Sequence, residues 1–292
     1  DIKSKINRYE FNRTREELQY IAKNINKVDE LIVTDLNFGM YKQDLETAKE
    51  IAKIQKDYKY PISVDAPAGK NMPKRIINIA SIMKGWSMGG VIQSSDAGVL
   101  KAIRRSNISV SAYKELIDFG NTQKSNRTYT EIILGLPSDT KEKHFESLRV
   151  GVEKNVNNLR MHQAMLLTGT EMASKKDREK YGLMTKFRTL PGNVGNYNIL
   201  DKEHPVAEVE EIVVGSNTLS MDDYVECRIM NLIIKTFYNN NIFNEIHAMQ
   251  RAMGISQFDC LLYIKEHEEM YSDRIREIIK SFVAETKEDL FD

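Results

Sequence analysis

The chain has 292 residues with 42 basic and 42 acidic side chains and 41% hydrophobic content. That is enough for one large domain or two ordinary ones, and no net field favours nucleic acid or an anionic membrane. No apolar run approaches membrane-spanning length, and the N-terminus shows no signal-peptide pattern.

Two late cysteines, Cys227 and Cys260, give no disulfide framework and fit a reducing, cytoplasmic setting. The five histidines are scattered, so no protein-ligated metal site has local sequence support.

Thr14-Arg15-Glu16-Glu17 reads as a capping box ahead of Leu18, Ile21, Ala22 and Ile25 at helical spacing. Residues 31–34 read as a buried strand ending at Asp35-Leu36-Asn37-Phe38-Gly39. A helix is expected over about 44–56, a short strand over 61–65, and a helix from Pro73 to Gly85.

Residues 90–94 form an apolar run ending in Gln93 and Ser94. A helix follows with Val99, Leu100 and Ile103 on one face, capped by Ser95 or Asp96. Ser111 is a candidate cap for a helix ended by Gly120. Residues 128–134 are a β-branched strand, and Asp139 with Glu142 reads as a second capping box. The last strand of the series covers 159–167.

Five strands thus alternate with helices over about 165 residues, which requires right-handed crossovers and a mainly parallel sheet. A curved sheet or partial barrel of βα units fits this order. The series begins with a helix where a strand is expected.

After residue 173 the character changes. Residues 175–180 are a charged run of the kind found on a solvated face. Residues 189–197 read as a long loop suited to a lid or binding segment. One further strand is expected over 207–214, with Glu208, Glu210 and Glu211 among its polar positions. From Ser220 the chain reads as helical, with segments over 224–238, 242–253, 256–267 and 272–286. The expected division is therefore 1–173 and 174–292.

Strand ends contribute Asp35, Asn37, Asp65, Gln93, Ser94, Glu131 and Gly135. In a parallel barrel such ends converge where ligands bind. Arg105 offers a planar donor fork suited to a carboxylate or phosphate. His162 reads either as a satisfied core histidine or as a residue facing substrate in an open barrel. No catalytic residue is assigned, and no protein metal ligand.

Four segments in order carry a resemblance. They are Thr34-Asp35-Leu36-Asn37-Phe38-Gly39, the stretch from Ile92-Gln93-Ser94 to Ser109, Thr130-Glu131 through Thr140, and Leu159-Arg160-Met161-His162-Gln163 through Met172. Over roughly residues 1–173 the chain resembles the radical S-adenosylmethionine superfamily, in the class whose members often carry an upstream cobalamin-binding domain.

The resemblance implies an α/β fold: a partial (β/α)6 TIM-like barrel lacking its first strand, followed by a mainly helical C-terminal region. It implies that Asp35, Asn37, Phe38 and Gly39 receive the methionine amino group of S-adenosylmethionine. Gln93 and Ser94 match positions near the ribose. Arg105 matches an arginine that pairs with the methionine carboxylate, and Leu134 and Gly135 match backbone that meets the adenine. Asp65, Glu131, His162 and Gln163 would face the substrate.

The implied cofactors are S-adenosylmethionine, a [4Fe–4S] cluster and cobalamin. The implied partners are a small-molecule or natural-product substrate and an electron-donor protein, with no nucleic acid and no membrane span. The implied chemistry is reductive cleavage of S-adenosylmethionine, with methyl transfer as one outcome.

The family holds its cluster by a Cys-x3-Cys-x2-Cys loop after the first strand. This chain has no cysteine before Cys227. The expectation is a chain that starts just after that loop and is inactive by itself. The alternative is a clusterless barrel relative acting as a nucleoside-binding module, and a third reading is an unrelated barrel enzyme acting on a phosphorylated or carboxylated metabolite.

Overall fold

A computed structural model describes residues 8–69, 72–122 and 128–292. In chain order the elements are α1 (Phe11–Asn24), β1 (Glu30–Ile32), α2 (Asp44–Tyr58), β2 (Ser63–Asp65), α3 (Pro73–Ile82) and β3 (Met88–Gly89). There follow α4 (Ala97–Ala102), α5 (Val110–Thr122), β4 (Thr128–Leu134), α6 (Lys141–Glu153), β5 (Asn158–Gln163) and α7 (Lys175–Tyr181). The chain ends with β6 (Met184–Ile199), β7 (Lys202–Gly215), α8 (Met221–Phe237), α9 (Asn244–Ala252), α10 (Gln257–Glu266) and α11 (Asp273–Glu288). The molecule is an α/β protein with small sheets of two or three strands.

Two compact units are present. The first takes in Asp1–Val91, Ile108–Thr130 and Val156–Asn158. In it β1 runs parallel to β2, with Leu31 opposite Val64, and β3 runs parallel to the start of β4, with Gly89 opposite Tyr129. Parallel neighbours need a crossover, and α2 supplies the one between β1 and β2. The helix turns Ala48, Ile51 and Ile54 inward, three residues apart and all essentially inaccessible.

These side chains join Ile76, Ile79, Met83 and Trp86 in one apolar core. Burying each large side chain there contributes about 1.5–3 kcal/mol. Trp86 satisfies its ring N–H by donating to the Ala66 carbonyl at 2.9 Å, and the edge of Phe38 meets it with centroids 5.5 Å apart. Gly85 makes the turn into this core at φ +72°, where a Cβ would lie 2.1 Å from the Ile62 carbonyl oxygen.

The second unit takes in Ile92–Asn107, Glu131–Asn155 and Leu159–Asp292. Val99, Leu136, Ala164, Leu166 and Val213 form an apolar cluster within it. The chain leaving β5 is tied to the end of β4 by the Ala164 N–H donating to the Leu134 carbonyl at 2.9 Å. Buried Asn239 accepts from the Leu159 N–H and donates to the Leu159 carbonyl, both at 2.9 Å, so a side chain does the work of a neighbouring strand for β5. Helix α8 packs against α6 and α10, with Tyr224, Cys227, Met230 and Ile234 buried.

Several expectations are corrected. The segment over 189–197, expected as a long loop, is the middle of β6 and pairs antiparallel with β7. Three extra residues on β6 bulge between the pairs Thr189–Val209 and Val194–Ala207, where the sequence places Pro191 and Gly192. The cap of α6 is Thr140, whose side chain accepts from the Lys143 N–H, and not Asp139. Helix α1 begins at Phe11, ahead of the Thr14 box, and α5 begins at Val110, with Ser109 rather than Ser111 accepting from the Ala112 N–H.

The strand expected over 90–94 is displaced to β3, with Gln93 retained as an isolated parallel bridge to Ile132. Strand β5 ends at Gln163, short of the expected 167, because Met165 turns to bridge antiparallel to Ile212.

Candidate functional site

Gln93 enters β4 by backbone alone. Its N–H donates to the Glu131 carbonyl at 2.8 Å, and its carbonyl accepts from the Ile133 N–H at 2.9 Å. It does this at φ +55°, a left-handed conformation that costs a non-glycine residue on the order of 1 kcal/mol or more. The turn re-aims the side chain, and Gln93 Oε1 is buried with no hydrogen-bond partner among the described residues.

The next residues turn the chain into α4. Asp96 caps that helix by accepting from the Val99 N–H at 2.8 Å, which settles the choice between Ser95 and Asp96. This hydrogen bond, with Lys143 at 3.3 Å, holds the Asp96 carboxyl below the usual range. Just past α4, Arg105 is exposed, and its backbone N–H donates to the Leu100 carbonyl at 2.9 Å.

A cavity of about 710 Å³ lies in the second unit. Gln93, Arg105, His162 and Gln163 all line it. Its apolar wall comes from Ile133 in β4 and Leu136 and Pro137 after it, from Met161 and Met165, and from Leu190 of the hairpin. A chamber with a mostly apolar wall and a few placed polar groups is the usual form of a small-molecule site.

Other residues singled out in the sequence sit elsewhere. Ser94 is buried with its hydroxyl accepting from the Asp96 N–H, and it is not on the cavity wall. Leu134 and Gly135 are also buried off the wall, two residues and one residue before Leu136. Glu131 pairs with Arg160 at 3.7 Å.

Asp35, Asn37, Phe38, Gly39 and Asp65 belong to the first unit. There Asp35 accepts from the Asn37 N–H at 2.8 Å, and Gly39, at φ +88°, donates to Asp44 at 3.0 Å. Asp65 ends β2, and its carbonyl accepts from the Val33 N–H.

Among the charged residues on the wall that were not singled out as site residues, Arg188 and Glu210 form a pair. Arg188 on β6 stands opposite Glu210 on β7. The Arg188 Nε donates to Glu210 Oε1 at 2.6 Å, and its Nη1 donates to Gln163 Oε1 at 2.7 Å. The glycine and asparagine content just after Arg188 disguises this strand. The β-branched and aromatic content of Thr185, Phe187 and Thr189, with Arg188 opposite Glu210 across the hairpin, is the signal that finds it.

Among the described residues no group of three or more His, Cys, Asp or Glu side chains is placed to hold a metal ion. Burial pushes the Cys227 thiol well above its ordinary pKa, so it stays a packed thiol. Among the described residues no helix is long and apolar enough to cross a membrane.

No family model matches the chain. It is 30% identical over 232 residues to the cobalamin-dependent radical SAM methyltransferase TokK of Streptomyces tokunonensis, covering 76% of this chain and 32% of that protein. It is 29% identical over 226 residues to the 2-(S-pantetheinyl)-carbapenam-3-carboxylate methyltransferase of Streptantibioticus cattleyicolor, covering 75% of this chain and 32% of that one. The chain spans about a third of the length of both curated relatives.

Among solved structures, the radical S-adenosylmethionine methyltransferase TsrM from Kitasatospora setae matches with TM-score 0.45 and 14% identity, over 67% of this chain and 35% of that one. Coproporphyrinogen III oxidase HemN from Escherichia coli matches with TM-score 0.39 and 15% identity, over 52% and 36%. These structural likenesses are weak, and the assignment rests on the two sequence relatives. They place the chain in the radical S-adenosylmethionine superfamily, as its strand-end motifs implied.

Proposed function

We propose that the chain is the core of a cobalamin-dependent radical S-adenosylmethionine methyltransferase, and that its cavity holds S-adenosylmethionine beside a small-molecule substrate. The reading of the fold as a partial (β/α)6 barrel belongs to the same proposal. The observation that carries it is that Gln93 and Arg105 line one cavity, with Gln93 Oε1 buried and unpartnered. A buried acceptor without a partner costs about 1–3 kcal/mol, and a ribose hydroxyl donating to it removes that cost.

Arg105 lines the same cavity and has no ion-pair partner among the described residues. Its donor fork suits the methionine carboxylate. Ile133, Leu136 and Pro137 give an apolar surface on which an adenine ring can lie. Of the residues the resemblance assigns to the substrate, His162 and Gln163 line the same cavity. The two relatives, both methyltransferases by name, support methyl transfer as the outcome.

When bound, the cofactors supply the radical and methyl-carrying chemistry, and the protein supplies orientation and exclusion of water. The residues present do not fit a [4Fe–4S] cluster. The chain has two cysteines, one of them buried in a helix core, so no step through the cluster follows from its side chains.

Isothermal calorimetry with S-adenosylhomocysteine tests the reading without requiring turnover. Arg105→Ala is expected to weaken binding about tenfold or more, as for loss of a charge-assisted hydrogen bond. An unchanged affinity would remove the carboxylate role.

A further inference from the structure

Gln163 and Arg188 meet on the cavity wall in a way that fixes more than position. A guanidinium carries only donors, so the Gln163 atom that Arg188 Nη1 touches at 2.7 Å is the amide oxygen. The amide NH2 is therefore turned away from Arg188 and has no partner among the described residues. A free glutamine side chain offers donor or acceptor with equal ease. This one is held as a donor.

Glu210 completes the arrangement. It sits opposite Arg188 across the hairpin, takes the Nε hydrogen bond at 2.6 Å and also pairs with Nη2. The pair is largely buried, with side chains 26% and 10% exposed. It neutralises the guanidinium, so the wall at Gln163 carries a directed dipole and no net charge. That selects a neutral hydrogen-bond acceptor over a cation.

We infer that Arg188 and Glu210 are positioning residues that lock Gln163 as a hydrogen-bond donor to a carbonyl oxygen of the substrate. The substrate class is a neutral carbonyl compound with an apolar body, packed against Met161, Met165, Leu167 and Leu190. The inference rests on the reading of the cavity as the cofactor and substrate chamber. It gives the C-terminal hairpin a part in specificity.

The test uses the full chain, 15N-labelled at glutamine side chains, titrated with 2-hexanone (acceptor only) and hexylamine (donor only). In the native protein 2-hexanone shifts the Gln163 NH2 signals and hexylamine does not. Arg188→Met weakens 2-hexanone about fivefold, the loss expected for one hydrogen bond, and Arg188→Lys restores part of it. Gln163→Glu keeps the shape, replaces donor by acceptor, and reverses the preference between the two probes.

Equal response to both probes in the native protein, or a Gln163→Glu variant that keeps the native preference, overturns the inference and leaves the trio as a structural clamp. S-adenosylhomocysteine binding is measured on the same samples. Its absence with the ketone preference intact counts against the cofactor reading alone, and its presence without that preference counts against the Gln163 role alone.

Discussion

His144 Nε2 lies 3.1 Å from the Asn231 side-chain oxygen, inside the packing of α6 against α8. An amide oxygen only accepts, so the ring nitrogen facing it carries the proton. Burial pushes the imidazole down to a pKa of about 4, and the Asn231 hydrogen bond opposes that only in part. The folded state holds His144 neutral, while the unfolded chain takes up a proton near the ordinary 6.5.

Stability is therefore lost as pH falls from about 6.5 to about 4, by on the order of 3 kcal/mol. Urea unfolding at several pH values checks this. A His144→Gln variant is expected to be less stable at pH 7 and to lack that acid-side fall.

Asp139 has the opposite sign. It is essentially inaccessible, and burial raises its carboxyl to about 7 against the hydrogen bonds from the Thr140 and Gly135 backbone. The folded state binds the proton more tightly than the unfolded chain, so this residue costs stability as pH rises from about 3.8 through about 7. Asp139→Asn keeps an acceptor for the Thr140 N–H and removes the charge. The variant is expected to be more stable than the native protein above pH 7, by up to about 4 kcal/mol, with the gain vanishing near pH 4.

Arg178 and Glu211 form a two-pronged pair, with hydrogen bonds of 2.5 and 2.6 Å that tie α7 to β7. The Arg178 hydrogen bond holds the Glu211 carboxyl below its usual pKa. That contribution is present above the ordinary 4.5 and is lost as pH falls through the lowered folded value. Glu211→Gln is expected to destabilise the chain by about 1–3 kcal/mol at pH 7 and by less at pH 3. Thermal unfolding at the two pH values reads the difference.

Much of the fold was legible because the pattern and the capping chemistry agreed. Ala48 and Ile51 mark the inward face of α2 at helical spacing, to which the structure adds Ile54, and the cap of α4 was narrowed to Ser95 or Asp96 before the structure chose Asp96. The β6 strand was not legible, because Pro191, Gly192 and Asn193 are turn formers. Pairing with β7 on either side of a bulge carries them within the strand all the same, a case of long-range hydrogen bonding overriding local preference.

Reading that strand as a loop hid Arg188. Arg188 gains its meaning only when folding sets it between Glu210 and Gln163, residues 22 and 25 positions away. Gln93 was found because it ends an apolar run. Its positive φ and orphaned oxygen, on which its proposed ligand role stands, belong to the tertiary structure.

We propose that Gln93 and Arg105 bound a chamber for S-adenosylmethionine. A crystal structure of this chain grown with S-adenosylhomocysteine tests it most directly. Density is expected in the 710 Å³ cavity, with a ribose hydroxyl donating to Gln93 Oε1 and the carboxylate at Arg105. Ligand density elsewhere, with Gln93 Oε1 still unpartnered, would contradict it.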